Sequence, residues 1–153
     1  MIKINVLIDE KDWKNFIRRP EFYLKSKIKK INKYDYFKRK KLEFSVLLSA
    51  NKEIKKLNKK FRKKNKITDV LSFPFYEKNI LNKLLRKKNS IYLGDIIINL
   101  NKVLSRSKLD FSEEKFNKLW IHGFLHLLGF KHKINADYSK MQKLENKFFK
   151  LIN

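Results

Sequence analysis

Three histidines, the only ones in the chain, fall within the eleven-residue stretch HGFLHLLGFKH at 122–132. His122 and His126 are four positions apart, so on a helix both imidazoles lie on one face, about 6 Å apart along the axis. Gly129 follows where this helix is expected to end, and glycine accepts the left-handed conformation that turns the chain back towards His132. Three imidazoles on one zinc ion leave its fourth position for water, which is typical of a catalytic site. The pattern therefore predicts one zinc ion per chain, bound by His122, His126 and His132.

The same histidine spacing occurs in the metzincin proteases, which carry glutamate directly after the first histidine as the general base. Gly123 occupies that position here. A peptidase without this base would be severely impaired. Gly123 therefore argues against proteolysis, and a metal-dependent peptidase is kept only as an alternative.

The composition is strongly basic, with 39 lysines and arginines against 15 aspartates and glutamates and a net charge of +24. Such a field attracts polyanions, above all nucleic acid. The alternative is compositional drift in a genome rich in A and T, because lysine, asparagine, isoleucine and phenylalanine are all abundant. Six lysines surround Arg62 on a predicted helix and its exit, although a solvated helix face is the commoner explanation of such a run: Lys55, Lys56, Lys59, Lys60, Lys63 and Lys64.

The chain has no cysteine, which excludes disulfides and thiolate metal sites. No signal peptide is visible at the N-terminus, and no apolar run approaches the roughly 18 residues that a membrane span needs. We therefore expect a cytoplasmic protein without a membrane partner.

The elements that must position the histidines alternate between strand and helix patterns. Pro74 removes a backbone donor, so its strand is expected to be an edge strand or to end there. Ser112, followed by two glutamates, predicts the start of the histidine-bearing helix, which should run to about Leu128. The segment 77–90 is expected to be a loop with at most one helical turn. Strands are predicted at 2–8, 41–50, 67–76 and 92–100, and helices at 20–34, 51–64, 101–109, 112–128 and from 135 onwards.

This mixture predicts an α+β fold, with residues 1–153 forming a single small domain. We expect a mixed sheet of about four strands packed by helices, with the zinc site on a central buried helix and the turn after it. On the helix at 51–64, Ile54, Leu57 and Phe61 are expected to point inward and the lysines outward.

Together with two further stretches, HGFLHLLGFKH resembles the signature of the YbeY family, the bacterial endoribonucleases that mature ribosomal RNA. The two stretches are LNKKFRKKNKITDVLSFPF at 57–75 and LGDIIIN at 93–99, in the order and spacing of that family. Met141 and Glu145 also fit the family's final helix. The resemblance extends from about residue 41 to residue 149.

The resemblance implies a zinc-dependent hydrolase of single-stranded RNA. Its role would be trimming ribosomal RNA precursors, including the 3′ end of the small-subunit RNA, and clearing defective ribosomes. His122, His126 and His132 match the family's zinc ligands. Arg62 matches a functionally important arginine, which can stabilise charge on the phosphate through a bidentate contact. The implied partners are single-stranded or ribosomal RNA and the ribosome or its proteins, with no specificity for DNA.

Lys131 departs from the family pattern, which usually has aspartate directly before the third ligand. If that aspartate activates water or orients a ligand, this chain uses another group, or it is a non-catalytic ribosome-assembly factor with a structural metal. Four carboxylates are candidates for accepting an imidazole N–H, and the sequence does not choose among Asp69, Asp95, Asp137 and Glu145. Capping a turn is the alternative for Asp69, and an exposed helix position is the alternative for Glu145.

Overall fold

A computed structural model of the chain describes residues 1–87, 90–132 and 134–153. Within these residues the chain forms four strands and eight helices, which confirms the predicted α+β fold. The strands are β1 (Ile2–Ile8), β2 (Lys41–Ser49), β3 (Val70–Pro74) and β4 (Ser90–Asn99). The helices are α1 (Trp13–Phe16), α2 (Pro20–Ile31), α3 (Asp35–Lys38), α4 (Asn51–Arg62), α5 (Lys78–Leu85), α6 (Leu100–Val103), α7 (Glu113–Leu127) and α8 (Asn135–Ile152).

The four strands form one mixed sheet in the order β1-β2-β4-β3. β1, β2 and β4 are parallel, whereas β3 runs antiparallel to β4 at the edge of the sheet. Pro74 is the last residue of this edge strand, as its missing N–H predicts. Gly94 pairs with it at a φ of +131°, and a Cβ there would lie 2.1 Å from the carbonyl oxygen of Phe73. Only glycine permits this close pairing.

One edge of β3 pairs with β4, and its other edge is the open edge of the sheet. Next to β4, the N–H of Phe75 donates to Leu93 O (2.8 Å), and the N–H of Asn99 donates to Asp69 O (2.9 Å). In an antiparallel pair the backbone groups of alternate residues face the partner strand, so the odd-numbered residues of this strand face β4. The even-numbered residues therefore turn their backbone groups towards the open edge of the sheet: Val70, Ser72 and Pro74.

The main core lies on the face of the sheet that packs against α2 and α7, and α8 packs on these two helices. Ile96 and Ile98 of β4 belong to it, and the side chain between them, Ile97, points to the opposite face and packs near α4. Successive side chains of a strand alternate in this way. The histidine-bearing helix α7 thus packs against the main core, as expected for a central buried helix.

Helix α5 was not expected, because the segment 77–90 is rich in lysine and has a weak apolar pattern. Its Leu81 is buried, and Leu84 and Leu85 pack partly against the main core. Such tertiary contacts stabilise a helix whose own sequence signal is marginal. Residues 88–89 of that prediction lie outside the described residues.

Two further expectations are corrected by the structure. The helix predicted at 101–109 is confined to the four residues of α6. On α4, Ile54 is buried and Leu57 is half-buried. Phe61, in the last turn, is 58% exposed, because no element formed by the described residues covers it. Among the residues described, no helix is long and apolar enough to cross a membrane.

Candidate metal centre

Helix α7 is fixed against the sheet by the face opposite its histidines. Its first turn is capped as predicted, because Ser112 Oγ accepts the N–H of Lys115 at 3.2 Å. Trp120 and Phe124 are fully buried in the core. The helix axis is therefore held rigidly, and the side chains on its other face are presented at the surface of the core.

Gly123 brings α7 unusually close to the sheet. A Cβ at this position would lie 2.8 Å from Ile96 Cγ2 and 3.0 Å from Ser72 Oγ. The position that carries the catalytic glutamate in metzincins therefore faces packed side chains of the sheet here. The close approach leaves no space for a glutamate pointing in this direction.

The end of α7 reverses the chain as the sequence predicts. Gly129 adopts a φ of +85°, and its N–H donates to His126 O at 2.9 Å, while the N–H of Phe130 donates to Leu125 O at 3.1 Å. This pair of hydrogen bonds around a left-handed glycine is the Schellman arrangement. It directs the following residues back alongside the helix, which brings His132 to the other two histidines.

The three histidines form a cluster that can hold a metal ion, with one ligand nitrogen from each lying within 4.8 Å of the others. The ring centroids of His122 and His126 are 4.5 Å apart, and the ring of His132 is 5.5 Å from the first and 5.0 Å from the second. His122 and His126 are half-buried, whereas His132 is exposed. The cluster is thus closed on the core side and open to solvent at His132.

Each of the two helical histidines is oriented by a second hydrogen bond. His122 Nδ1 lies 2.6 Å from Glu145 Oε1, and His126 Nδ1 lies 2.9 Å from the carbonyl oxygen of Phe130. A carboxylate and a carbonyl only accept, so both Nδ1 atoms carry the proton. In the neutral rings, both Nε2 atoms are then unprotonated and available as ligands.

These two Nε2 atoms face each other at 3.0 Å. Two lone pairs at this distance repel each other, and either a shared proton or a bound metal ion would relieve the repulsion. Nitrogens bound to one tetrahedral zinc ion at about 2.0–2.1 Å are themselves about 3.3 Å apart. Burial, followed by the neighbouring charge of His122, lowers the pKa of His126 to about 4, which keeps this ring neutral near pH 7. The donor set therefore fits a transition-metal ion.

Arg62 lies at the end of α4 and reaches the open edge of β3, where its Nη2 donates to Ser72 O at 3.1 Å. Its guanidinium carbon lies 5.9 Å from the ring centroid of Phe73. The arginine is close enough for its charge to contribute to the lowered pKa of His126.

The chain reversal after α4 is stabilised by the buried Asn58, whose Nδ2 donates to Lys66 O at 2.9 Å.

Only Glu145 of the four candidate carboxylates contacts an imidazole within the described residues. Asp69 Oδ1 accepts the N–H of Val70 at 2.8 Å, which is the local turn role that was its alternative. Asp95 accepts from Tyr92 and lines a groove beneath α4, on the other face of the sheet. Asp137 lies in the first turn of α8, and Lys131 is exposed.

Sequence reasoning missed two features of the site. The carbonyl of Phe130 fixes the His126 ring, and a backbone acceptor leaves no signal in a sequence. The second is that three further residues of α8 line a pocket together with the candidate Glu145, and their spacing of three and four residues is a signal that could have been found: Gln142, Asn146 and Phe149.

Comparison with known proteins agrees with the resemblance seen in the sequence. The family model described as "Endoribonuclease YbeY" matches residues 7–153. A protein of that name from Pelagibacter ubique is 46% identical, over 99% of this chain and 97% of its own length. Another from Ehrlichia canis is 38% identical, over 96% of this chain and 90% of its own length.

A solved structure supports the fold independently. The solution structure of a Thermotoga maritima protein has a TM-score of 0.60 and covers 98% of this chain and 89% of its own. At 22% identity this likeness concerns the fold alone. The family model and the relatives, which cover nearly the whole chain, carry the assignment: the chain belongs to the YbeY endoribonuclease family.

Proposed function

We propose that this chain is a zinc-dependent endoribonuclease that hydrolyses phosphodiester bonds in single-stranded RNA. The observation that carries the proposal is the histidine cluster, with two Nε2 atoms facing each other at 3.0 Å. A third imidazole beside this pair favours a metal ion over a shared proton as the bridging charge. His122, His126 and His132 would hold one zinc ion, and the family relatives carry the name endoribonuclease.

A zinc ion in this site would supply Lewis acidity and a water molecule that loses its proton near neutral pH. The residues of the chain hold and orient the ligands. Glu145 keeps the proton on His122 Nδ1, and the carbonyl of Phe130 does the same for His126. The exposed position of His132 leaves the solvent side of the cluster open to a substrate.

Arg62 would bind the phosphate that is cleaved. A guanidinium has five N–H donors, and the carbonyl of Ser72 engages one of them. This single anchor holds the side chain at the edge of β3 and leaves further donors for two phosphate oxygens. The exposed lysines on α4 and its exit would attract the RNA strand towards this arginine: Lys55, Lys56, Lys59, Lys60, Lys63 and Lys64.

The peptidase alternative is disfavoured by two observations. No glutamate fits at Gly123, because the position abuts Ile96 and Ser72. The open edge of β3, where a peptide could pair with a strand, is occupied at Ser72 by Arg62 and has no N–H at Pro74. The general base of the metzincins is therefore missing, and the strand edge offers a peptide fewer groups for pairing.

A non-catalytic ribosome-assembly factor remains the second candidate, because Lys131 replaces an aspartate of the family. Such a protein would bind RNA tightly and with strong salt dependence but would not cleave it. Its metal ion would serve only the fold. Turnover of RNA by the metal-loaded protein separates the two candidates.

The cleavage of a labelled single-stranded RNA tests the proposal. The zinc-loaded wild-type protein should cleave it, and both a chelator and His126→Ala should abolish the cleavage. Asn82→Ala, a truncation of an exposed residue on α5, is the control and should retain the activity. Casein digestion under the same conditions should yield no product.

Persistence of cleavage in His126→Ala would indicate a contaminating nuclease and remove the support for this site. If the folded, zinc-loaded wild type binds RNA without cleaving it, the assembly factor becomes the leading candidate. A circular dichroism spectrum and a metal analysis of each variant distinguish lost chemistry from lost folding.

We further propose, from the family resemblance, that the substrate is precursor ribosomal RNA, including the 3′ end of the small-subunit RNA. The same resemblance supports a role in ribosome quality control, in the cytoplasm, with the ribosome or its proteins as partners. We treat 1–153 as one hydrolase domain. Accumulation of unprocessed small-subunit RNA in cells that depend on His126→Ala would support this role, whereas normal processing would contradict it.

A further inference from the structure

A cleft of about 390 Å³ lies beside the histidine cluster, between α7, α8 and the start of β3. His122 belongs to both, because its ring lines the cleft while its Nε2 faces His126. We call this space the α7–α8 cleft. Its lining also includes Asp69, Lys118, Gln142, Asn146 and Phe149.

Two helices each present one side-chain stripe to this cleft. On α7, Lys118 and His122 are four positions apart and therefore share the face that lines the cleft. On α8, the stripe formed by Gln142, Glu145, Asn146 and Phe149 follows the i, i+3, i+4, i+7 spacing of a single face. Both stripes run from the histidines towards the N-terminal half of α7, so the cleft continues directly from the cluster.

Two side-chain amides of the cleft are available to a ligand, whereas the Lys118 ammonium pairs with Glu114. Within the described residues, no hydrogen bond of the chain engages the side-chain amides of Gln142 and Asn146, and both residues are exposed. Phe149 is half-buried and presents an aromatic surface in the lining. The Lys118 ammonium lies 5.4 Å from the centroid of this ring. The cleft thus combines donors, acceptors, an aromatic ring and a cation.

We propose that the α7–α8 cleft binds one unpaired nucleobase of the RNA, adjacent to the bond that is cleaved. The inference rests on the proposed function and adds a binding site to it. Side-chain amides pair with the donor and acceptor groups on base edges. An aromatic ring stacks on any base, and such stacking contributes about 1–3 kcal/mol, which corresponds to roughly 5- to 150-fold in affinity. A volume of this size lies at the lower end of ordinary ligand pockets.

Because His122 lies in both the cleft and the histidine cluster, its position determines how far a bound base would lie from the site of cleavage. Glu145 and His122 both line the cleft, and they are joined by the 2.6 Å contact that orients the ring. A base between Phe149 and the amides would therefore place its own backbone phosphate beside the cluster. A base-paired and stacked nucleotide cannot enter such a cleft. The cleft thereby gives the enzyme a physical basis for selecting single strands.

Nucleotide binding tests the cleft without relying on turnover. The zinc-loaded protein is titrated with each of the four nucleoside 5′-monophosphates and, separately, with inorganic phosphate, by isothermal titration calorimetry. At least one nucleotide should bind about tenfold more tightly than phosphate. The double variant Gln142→Ala/Asn146→Ala should weaken this binding and remove any difference among the four nucleotides, while stacking on Phe149 remains. Asn82→Ala removes an exposed amide outside the cleft and should change nothing.

Cleavage of a randomised single-stranded RNA provides the second readout. Sequencing of the products should show a base preference at one position beside the cut in the wild type. The double variant should lose the preference at that position, with a raised KM and a nearly unchanged kcat. Both altered residues are exposed on α8, so the fold should be retained.

The outcomes separate the two proposals. Nucleotides that bind no more tightly than phosphate, or a double variant that keeps both the binding and the base preference, overturn the cleft proposal. RNA cleavage with these negative results would leave the proposed function intact. Conversely, nucleotide binding that depends on the two amides, without RNA cleavage by the wild type, would support the cleft and overturn the endoribonuclease proposal.

Discussion

The two faces of the sheet are covered to very different extents. One face carries α2 and α7, on which α8 packs, and the rings of Trp120 and Phe124 are completely buried there. The other is covered by α4, whose buried contacts are confined to a small cluster formed by Ile54, Leu71 and Ile97. The face with the main core holds the histidine cluster in place. The face with the small cluster carries α4 and its exposed lysines. The difference indicates that the histidine cluster and the lysines of α4 rest on supports that are packed to very different extents.

A matched pair of phenylalanine truncations tests this contrast most strongly. Phe124 is 0% exposed and Phe61 is 58% exposed, on opposite faces of the sheet. Phe124→Ala should lower the free energy of unfolding by about 3–5 kcal/mol, because it removes buried contacts and leaves a cavity. Phe61→Ala should lower it by less than about 1 kcal/mol. Urea denaturation monitored by circular dichroism measures both.

Equal losses from the two truncations would show that the α4 face is packed as firmly as the α7 face. The exposed Phe61 would then be covered in solution, for instance by a second copy of the chain. The molecular mass of the wild type in solution would show whether two copies of the chain associate in this way.

Gly123→Ala should have the next largest effect, because it tests how closely α7 approaches the sheet. The new methyl group would meet Ile96 Cγ2 at 2.8 Å, and overpacking of this kind costs about 1–3 kcal/mol. Lys115→Ala, an exposed position on the same helix, should leave the free energy of unfolding within about 0.5 kcal/mol. The thermal unfolding midpoints of the two variants provide the measurement.

A Gly123→Ala variant as stable as the wild type would mean that α7 can move away from the sheet at little cost. The histidine cluster would then rest on a less rigid support than the packing suggests.

Much of the packed face could be predicted from the sequence. Alternating residues of β2 and the apolar face of α7 are buried because elements on this side are covered by others, so their periodicity reports burial directly. The left-handed Gly129 and the cap at Ser112 also follow from local chemistry. The histidine spacing, which depends on the same helix, led to the correct cluster.

Prediction from the sequence failed where part of a helix is left exposed, and where a contact joins residues that are far apart in the sequence. Phe61 continues the apolar spacing of α4, but periodicity cannot reveal that the sheet face beyond Leu57 is left open. Helix α5 depends on the burial of Leu81 in the main core rather than on its own pattern. The choice of Glu145 as the partner of His122 required the position of α8 relative to α7, which local sequence does not determine.

Glu145→Ala should weaken metal binding by about 10- to 100-fold, because it removes the acceptor that orients the His122 ring. Glu145→Gln, which keeps an acceptor oxygen, should recover part of the loss. Glu21→Ala removes an exposed carboxylate on α2 and should leave metal affinity unchanged. Competition with a chromogenic zinc chelator gives the affinities.

If all three variants bind zinc as tightly as the wild type, the packing of α7 on the sheet would position the histidines, and the contact from Glu145 of α8 would not be needed. A loss of affinity in Glu145→Ala together with an unchanged free energy of unfolding would instead assign Glu145 to orientation of the ligand rather than to the fold.

The smallest expected effect concerns the lysines of the thinly covered face. Each phosphate contact on a single strand contributes about 0.7 to the slope of log affinity against log salt concentration. Lys59→Gln/Lys60→Gln should therefore lower the magnitude of this slope by about 1.4, since two contacts of this size are removed. The free energy of unfolding should change by less than about 0.5 kcal/mol, because both side chains are exposed.

Lys29→Gln/Lys33→Gln, on and just after α2, provides the matched control because it removes the same charge from exposed positions elsewhere. If the strand follows the α4 face towards Arg62, only the first pair should change the slope. Equal changes from both pairs would show that RNA responds to the net charge of +24 as a whole. The lysine excess would then be explained by composition, and the α4 face would have no special role in guiding the strand.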